Sequence, residues 1–308
     1  MRIVFMGTPD FAVPSLQALI DSDHEVVGVF TQPDRPKGRG NKLTPSPVKV
    51  LAQAHNIPVY QPLKIRKDGL EDLIALKPDL CVTAAFGQIL SQAILDVPVK
   101  GTVNVHASLL PKHRGSSPIV WGLVMGDTIF GITTMLTDKG IDTGMMLLKK
   151  ELTAEPLETA GELTQRLAKL GAELLTETLE KFDTLTPIPQ DESEATYEPM
   201  LKKEMGLMDF TKPARELACL VKGLNPWPGC YTPFEEGVLK VWLAREAEGK
   251  QGAQPGEIIL ADPKKGLFIQ TGEGALEILT LQAPGKKQMN AKDFLRGHPL
   301  KEGELIHG

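Results

Sequence analysis

The sequence predicts an α/β protein of two domains. The first is a Rossmann-like domain built on a parallel sheet, and the second is a smaller C-terminal β-barrel (OB-like) domain. Three observations carry this. Apolar β-type runs alternate with amphipathic helical runs up to residue 182. The alternation stops in a proline- and acid-rich stretch, 183–208, which is read as a linker. From 209 to 308 short β-type runs follow one another with turns between them.

Arg2 to Gly7 reads as a buried strand closed by Thr8-Pro9-Asp10, Phe11 to Ile20 as a helix, and Glu25 to Thr31 as a second strand. This is the start of a mononucleotide-type unit. Gly7 stands alone, without the G-x-G-x-x-G that a dinucleotide pyrophosphate needs, so a nicotinamide site is excluded. Gln32 to Pro47 is rich in Pro, Gly and positive charge and is predicted to be a long irregular loop. Val48 to Asn56 is helical, Ile57 to Tyr60 a short strand and Asp68 to Leu76 a helix. Leu80 to Phe86 is a strand covered on both faces, and Gly87 directly after it lets a flat ligand approach the backbone. Thr102 to His106 and Phe130 to Thr137 are further strands, with a helix near Ile119 to Met125. Met145 to Leu152 is a strand, and Thr159 to Phe182 a long helix with leucines along one face. In the second domain Asp209 to Gly223 looks helical, and β-type runs fall at 239–244, 256–260, 266–271 and 274–281.

A net charge of −5 over 308 residues does not by itself point to a nucleic-acid partner. The distribution is uneven, however. Between Asp34 and Lys49 five basic residues face one acid, a local +4 that suits either a solvated mobile loop or contact with a polyanion. The second domain has thirteen basic and thirteen acidic residues, so any binding face there is local. Three cysteines, Cys81, Cys219 and Cys230, lack metal-type spacing, and Cys81 is expected to be inert core. No leader and no membrane-spanning run is expected, and the expected protein is cytoplasmic and monomeric, without metal.

Asn104 and His106 are two apart on a strand and so point to the same side, near an edge where open α/β sheets bind ligands. Asp138 to Gly144 is a glycine-flanked turn after another strand and could bring Asp142 to the same edge. Each residue alone has a plain structural explanation: a turn cap, a satisfied buried histidine, an Asx turn. Together they offer an amide N–H for an oxyanion, an imidazole that exchanges protons near neutral pH, and a carboxylate to orient or accept. No nucleophile-elbow serine or reactive cysteine accompanies them, so the attacking group belongs to a substrate, as in transfer of an acyl or formyl group to an amine.

Asn104-Val105-His106-x-Ser108-Leu109-Leu110-Pro111, with Asp138-x-Gly140-Ile141-Asp142-Thr143-Gly144 downstream, resembles the formyltransferase family that uses 10-formyltetrahydrofolate. Gly7 to Phe11, the loop Thr31 to Gly40, Pro45 to Lys49, Asn225-Pro226-Trp227-Pro228 and Gly285-Lys286-Lys287 extend the resemblance over the whole chain. The basic loop and the C-terminal motifs resemble the branch that acts on charged tRNA. The resemblance implies 10-formyltetrahydrofolate as formyl donor and the α-amino group of methionine on initiator tRNA as acceptor, in translation initiation. It implies that Asn104 and His106 hold the formyl oxygen and that Asp142 assists proton transfer. Phe86, Gly87, Gln88, Ile89 and Leu90, with Ser108, Leu109, Leu110 and Pro111, would line the folate pocket largely through backbone atoms. Arg35, Lys37, Arg39 and Lys42 would meet the acceptor stem, and the C-terminal domain would steady the tRNA backbone. Two alternatives stay open: a folate-dependent enzyme formylating a small amine (glycinamide ribonucleotide or an amino sugar), and a non-catalytic RNA-binding relative. The basic loop and second domain count against the first, and the complete Asn104, His106 and Asp142 set counts against the second.

Overall fold

The computed structural model describes residues 1–37 and 42–306. The first strand, β1 (Arg2–Gly7), buries Ile3, Val4, Phe5 and Met6 completely. A strand with no exposed face belongs in the middle of a sheet covered on both sides. The strands that share its sheet are β2 (Glu25–Phe30), β3 (Val59–Tyr60), β4 (Leu80–Ala84), β5 (Thr102–His106), β6 (Ile129–Leu136) and β7 (Met146–Thr153). Their order is β7-β6-β5-β4-β1-β2-β3, so β1 lies inside the sheet as its burial demands. β1 runs parallel to β2 and β4, β2 to β3, and β4 to β5. Register places Gly7 beside Ala84 and Thr83 beside Asn104. The loops after β1, β4 and β5 therefore leave from one edge.

β6 breaks the parallel pattern. It runs antiparallel to β5, with Val103 opposite Leu136 and His106 opposite Thr133. Of the helices, α1 (Val13–Ile20) carries a proline in its first turn, and α2 (Pro47–Ala54) is capped by Ser46, whose hydroxyl accepts from Lys49 N. The leucine stripe foreseen for the long helix is real. Among the residues of α3 (Ala160–Glu180), Leu163, Leu167, Leu174, Leu175 and Leu179 are buried. At Gly171 the helix comes so close to the sheet that an added Cβ would lie 3.0 Å from Val105 Cγ1. Val105 alternates with Asn104 and His106 along β5, so α3 covers the face opposite those two side chains.

The chain falls into two compact units: residues 1–115, 130–152 and 164–198 form one, and 116–129, 153–163 and 199–308 the other. The stretch expected as a linker, 183–208, is divided between them. Ile188 exchanges backbone hydrogen bonds with Met146, and Tyr197–Glu198 pairs in parallel with Arg114–Gly115. A composition rich in proline and acid shows the lack of periodicity but not these short bridges. The segment expected as an irregular loop also holds structure: Arg35–Lys37 pairs antiparallel with Lys42–Thr44.

In the second unit α4 (Pro118–Met125) packs on α5 (Ala214–Gly223), where a Cβ at Gly223 would meet Val124 Cγ2 at 2.7 Å. Its sheet comprises β8 (Cys230–Phe234), β9 (Gly237–Ala247), β10 (Ile258–Asp262), β11 (Gly266–Gln270), β12 (Ala275–Gln282) and β13 (Met289–Asn290). The order is β8-β9-β12-β11-β10, with β13 also on β12 and every pairing antiparallel. The register shifts around Leu243 and between Ile258 and Leu260, irregularities of the bulge type. Leu239, Val241, Leu267, Ile269 and Ile278 of this sheet are buried in one cluster with Phe294 of the C-terminal helix α6 (Ala291–Gly297). Cys81 and Cys230 are core residues, and burial pushes each thiol up to about 12. Among the described residues no helix is long and apolar enough to cross a membrane.

The Gly171 contact gives a stability prediction. Gly171→Leu forces a branched side chain into the gap below Val105, and overpacking of this kind costs about 1–3 kcal/mol. Urea titration followed by circular dichroism should show an earlier midpoint; an unchanged midpoint would mean that the helix shifts freely on the sheet.

Candidate active site

Asn104 and His106 do share one face of β5, and each is fixed by a partner that sequence reasoning passed over. Thr83, beside Asn104 on β4, donates its hydroxyl to Asn104 Oδ1 at 2.9 Å. That bond turns the amide so that Nδ2 faces Asp142, donating to Oδ1 at a long 3.4 Å. The second Nδ2 proton has no acceptor among the described residues. His106 is buried, and its Nε2 lies 3.0 Å from the carbonyl of His113. A carbonyl only accepts, so Nε2 carries a proton. Nδ1 lies 3.6 Å from Asp142 Oδ1.

The carboxylate arrives by a different route from the expected one. Because β6 is antiparallel, its last residue, Leu136, lies beside Val103 rather than at the edge where β5 ends. Leu136 N is bonded to Met145 O, closing a β6–β7 hairpin whose loop folds back over the sheet face that carries Asn104 and His106. Asp142 sits in that loop in the left-handed region, at φ 55°. Its Oδ2 accepts from Gly115 N at 2.8 Å. Asp138 ties the loop from within, accepting from Gly140 N and from the Thr143 hydroxyl. Gly144 is required by contact, since a Cβ there would lie 1.7 Å from Leu136 O.

The two stretches expected to line a pocket take different parts. After β4, Phe86 is buried in the core, Leu90 packs against the same cluster, and Ile89 is 67% exposed. The Phe86 carbonyl accepts from the Thr8 hydroxyl, and the Phe86 and Gly87 carbonyls from Gln32 Nε2. Gln88 uses its side chain on Ile65 N and Pro62 O, which leaves it a structural tie. After β5, the Thr133 hydroxyl staples the turn, donating to Ser108 O and accepting from Leu110 N. The Ser108 hydroxyl donates to Lys112 O. Leu110 and Pro111 are buried, and Leu109 is half-buried. The Lys149 ammonium donates to Leu110 O, and burial draws the lysine below its ordinary pKa.

Of Lys112-His113-Arg114, Lys112 is exposed, His113 is half-buried and Arg114 is buried. His113 Nδ1 lies 2.8 Å from Glu198 Oε1, and the Glu198 side chain is buried. Arg114 has no exposed side-chain area. Its guanidinium donates to both Glu192 oxygens, to Tyr197 OH and to Gln190 Oε1, and it holds the Glu192 carboxyl below the usual range. Gln190 Nε2 in turn donates to Asp142 O at 2.8 Å and Gly144 O at 2.7 Å. These partners stand dozens of residues apart, and no local motif signals them.

In the basic segment Arg35 and Lys42 are exposed, and Lys37 pairs in register with Lys42. Arg39 lies outside the described residues. Lys49, counted in the local positive charge, is neutralised: its ammonium bonds both Asp34 oxygens and Gln61, and this pair holds Asp34 below the ordinary carboxylate range. Among the described residues no group of three or more His, Cys, Asp or Glu could hold a metal ion.

The chain is similar to known proteins along nearly its whole length. The family described as "Formyl transferase" matches residues 1–179, and that described as "Formyl transferase, C-terminal domain" matches residues 200–299. The chain is 51% identical to a methionyl-tRNA formyltransferase of Trichlorobacter lovleyi, over 99% of this chain and 96% of the relative. It is 47% identical to that of Alkaliphilus oremlandii, over 99% of both. Among solved structures the fold resembles WlaRD, a sugar 3N-formyl transferase solved with dTDP and 5-N-formyl-THF. That likeness has a TM-score of 0.68 at 17% identity, over 93% of this chain and 99% of the other. HypX from Aquifex aeolicus in complex with tetrahydrofolic acid gives 0.62 at 18% identity, over 98% of this chain and 48% of the other.

The hairpin loop yields a direct test. Gly144→Ala cannot be accommodated without moving Leu136 O, so the loop must reopen and withdraw Asp142 from His106. We expect turnover to fall at least tenfold, since misplacement by an ångström costs on the order of a hundredfold. Turnover at the wild-type rate would show that the loop tolerates the methyl group.

Proposed function

This chain belongs to the formyl transferase family, and on that premise we propose that it moves the formyl group of 10-formyltetrahydrofolate to the α-amino group of methionine on initiator tRNA. The convergence of Asn104 Nδ2, His106 Nδ1 and the Asp142 carboxylate on one sheet face carries the reading. Relatives matched end to end at 46–51% identity favour methionyl-tRNA over a small amine as acceptor.

The chemistry follows from the free positions. The amine attacks the formyl carbon, forming the new C–N bond and placing charge on the formyl oxygen. Asn104 offers its unused N–H to that oxygen. His106 Nδ1 takes the proton that the attacking nitrogen must lose, and the Asp142 carboxylate stabilises the imidazolium. His106 then returns the proton to the donor's nitrogen as that C–N bond breaks, so the proton count closes. Phe86 to Leu90 and Ser108 to Pro111 form the donor's walls. The cradle suits a flat ligand: Gly87 at φ 77° offers backbone without a side chain, and Ile89 supplies an exposed apolar surface. Arg35, Lys37, Arg39 and Lys42 contact the acceptor stem as cations on phosphates, and the antiparallel-sheet unit supports the tRNA backbone.

Three measurements test the proposal. With labelled 10-formyltetrahydrofolate, charged initiator tRNA offered beside glycinamide ribonucleotide and amino sugars should take essentially all the label; label on a small amine instead would overturn it. Asn104→Ala should lower turnover about a hundredfold or more, the usual cost of an oxyanion donor. Arg39→Ala should raise KM for tRNA and leave folate affinity unchanged, whereas equal loss of both would assign the segment a structural role.

A further inference from the structure

Asp142 owes its position to its backbone, and that backbone is gripped from outside its own loop. The residue adopts φ 55°, in the left-handed region that few residues other than glycine, asparagine and aspartate enter. Its own carbonyl and that of Gly144, two residues on, both accept from the single side-chain nitrogen of Gln190. Gln190 spends both its N–H groups on this grip. Its Oε1 accepts from Arg114 Nε at 2.9 Å, which fixes the amide the right way round, since the guanidinium only donates. Arg114 is held by Glu192 and Tyr197 and has no exposed side-chain area. The next residue, Gly115, closes the circuit by donating its own N–H to Asp142 Oδ2. One short segment, Arg114-Gly115, therefore sets the carboxylate directly and, through Gln190, the main chain that carries it.

We infer that Gln190, braced by Arg114, is a positioning residue for formyl transfer: it touches no reacting atom and acts by holding the Asp142 carboxylate toward His106 Nδ1. The inference rests on Asp142 taking part in the reaction. A buried arginine with one N–H committed to an amide, and that amide committed to two loop carbonyls, is a costly arrangement for surface shape alone. Nothing on the loop's own sequence replaces it, because Asp138 secures only Gly140 and Thr143.

The test is a double-mutant cycle read as single-turnover rates with enzyme in excess, so that slow variants stay measurable. Gln190→Glu keeps the length and gives Arg114 a new carboxylate partner but removes both donors to the loop. We expect kcat to fall about ten- to a hundredfold, with KM for the folate donor and for charged tRNA within about twofold of wild type. In an Asp142→Asn background the same change should cost less than about twofold, because the group it positions is already disabled. Gln190→Met removes the donors without adding charge and carries the same expectation, so poor folding of one variant leaves the other. Equal cost of the Gln190 change in both backgrounds, or wild-type kcat in the single variant, would overturn the inference. Asp142→Asn at the wild-type rate would instead remove Asp142 from the reaction and so refute the reading beneath it.

Discussion

The hydrogen bond from His106 Nε2–H to the carbonyl of His113 is the constraint on which the site depends. It places a proton on Nε2 and leaves Nδ1 as the nitrogen that faces Asp142. It also needs the chain after β5 to turn back within seven residues. The Thr133 hydroxyl on Ser108 and Leu110 secures the start of that turn. Thr196 Oγ1 on His113 N and Glu198 on the His113 ring secure its end. With the imidazole held by its far nitrogen, a carboxylate on the near side completes an acid–base pair, and the hairpin loop delivers one.

Much of this was legible in the sequence, for identifiable reasons. The inner strands announce themselves as unbroken apolar runs such as Ile3 to Met6. Asn104 and His106 declare a shared face through a spacing of two. The glycines around Asp142 mark a turn, and Gly144 proves to be the residue its contacts require. The direction of β6 was not legible, because a β-branched run reads the same parallel or antiparallel. Its reversal is why Asp142 crosses the sheet face. Arg114 and Gln190 were missed because they meet across 76 residues, and hydrogen bonds between such partners leave no periodic trace. Burial of a guanidinium such as that of Arg114 depends on partners that a local window does not contain. The same blindness hid Lys49, whose charge is spent on Asp34.

The two faces of β5 divide the work. On one, α3 presses against Val105 at Gly171, a packing contact with no polar atom in it. On the other, the side chains of Asn104, His106 and Asp142 meet one another and are held by Thr83, His113 and Gly115. A rigid apolar back allows a polar front to be placed accurately, since interiors packed at crystal-like density transmit displacement rather than absorb it.

The β6–β7 hairpin is sewn at its base by Leu136 and Met145, within its loop by Asp138, and across its carbonyls by Gln190. A loop fastened at three levels has surrendered its conformational entropy during folding, before any substrate arrives. Its acidic residue therefore needs no induced fit. Binding free energy from a large acceptor need not be spent on ordering this loop, and is left free to tell one acceptor from another.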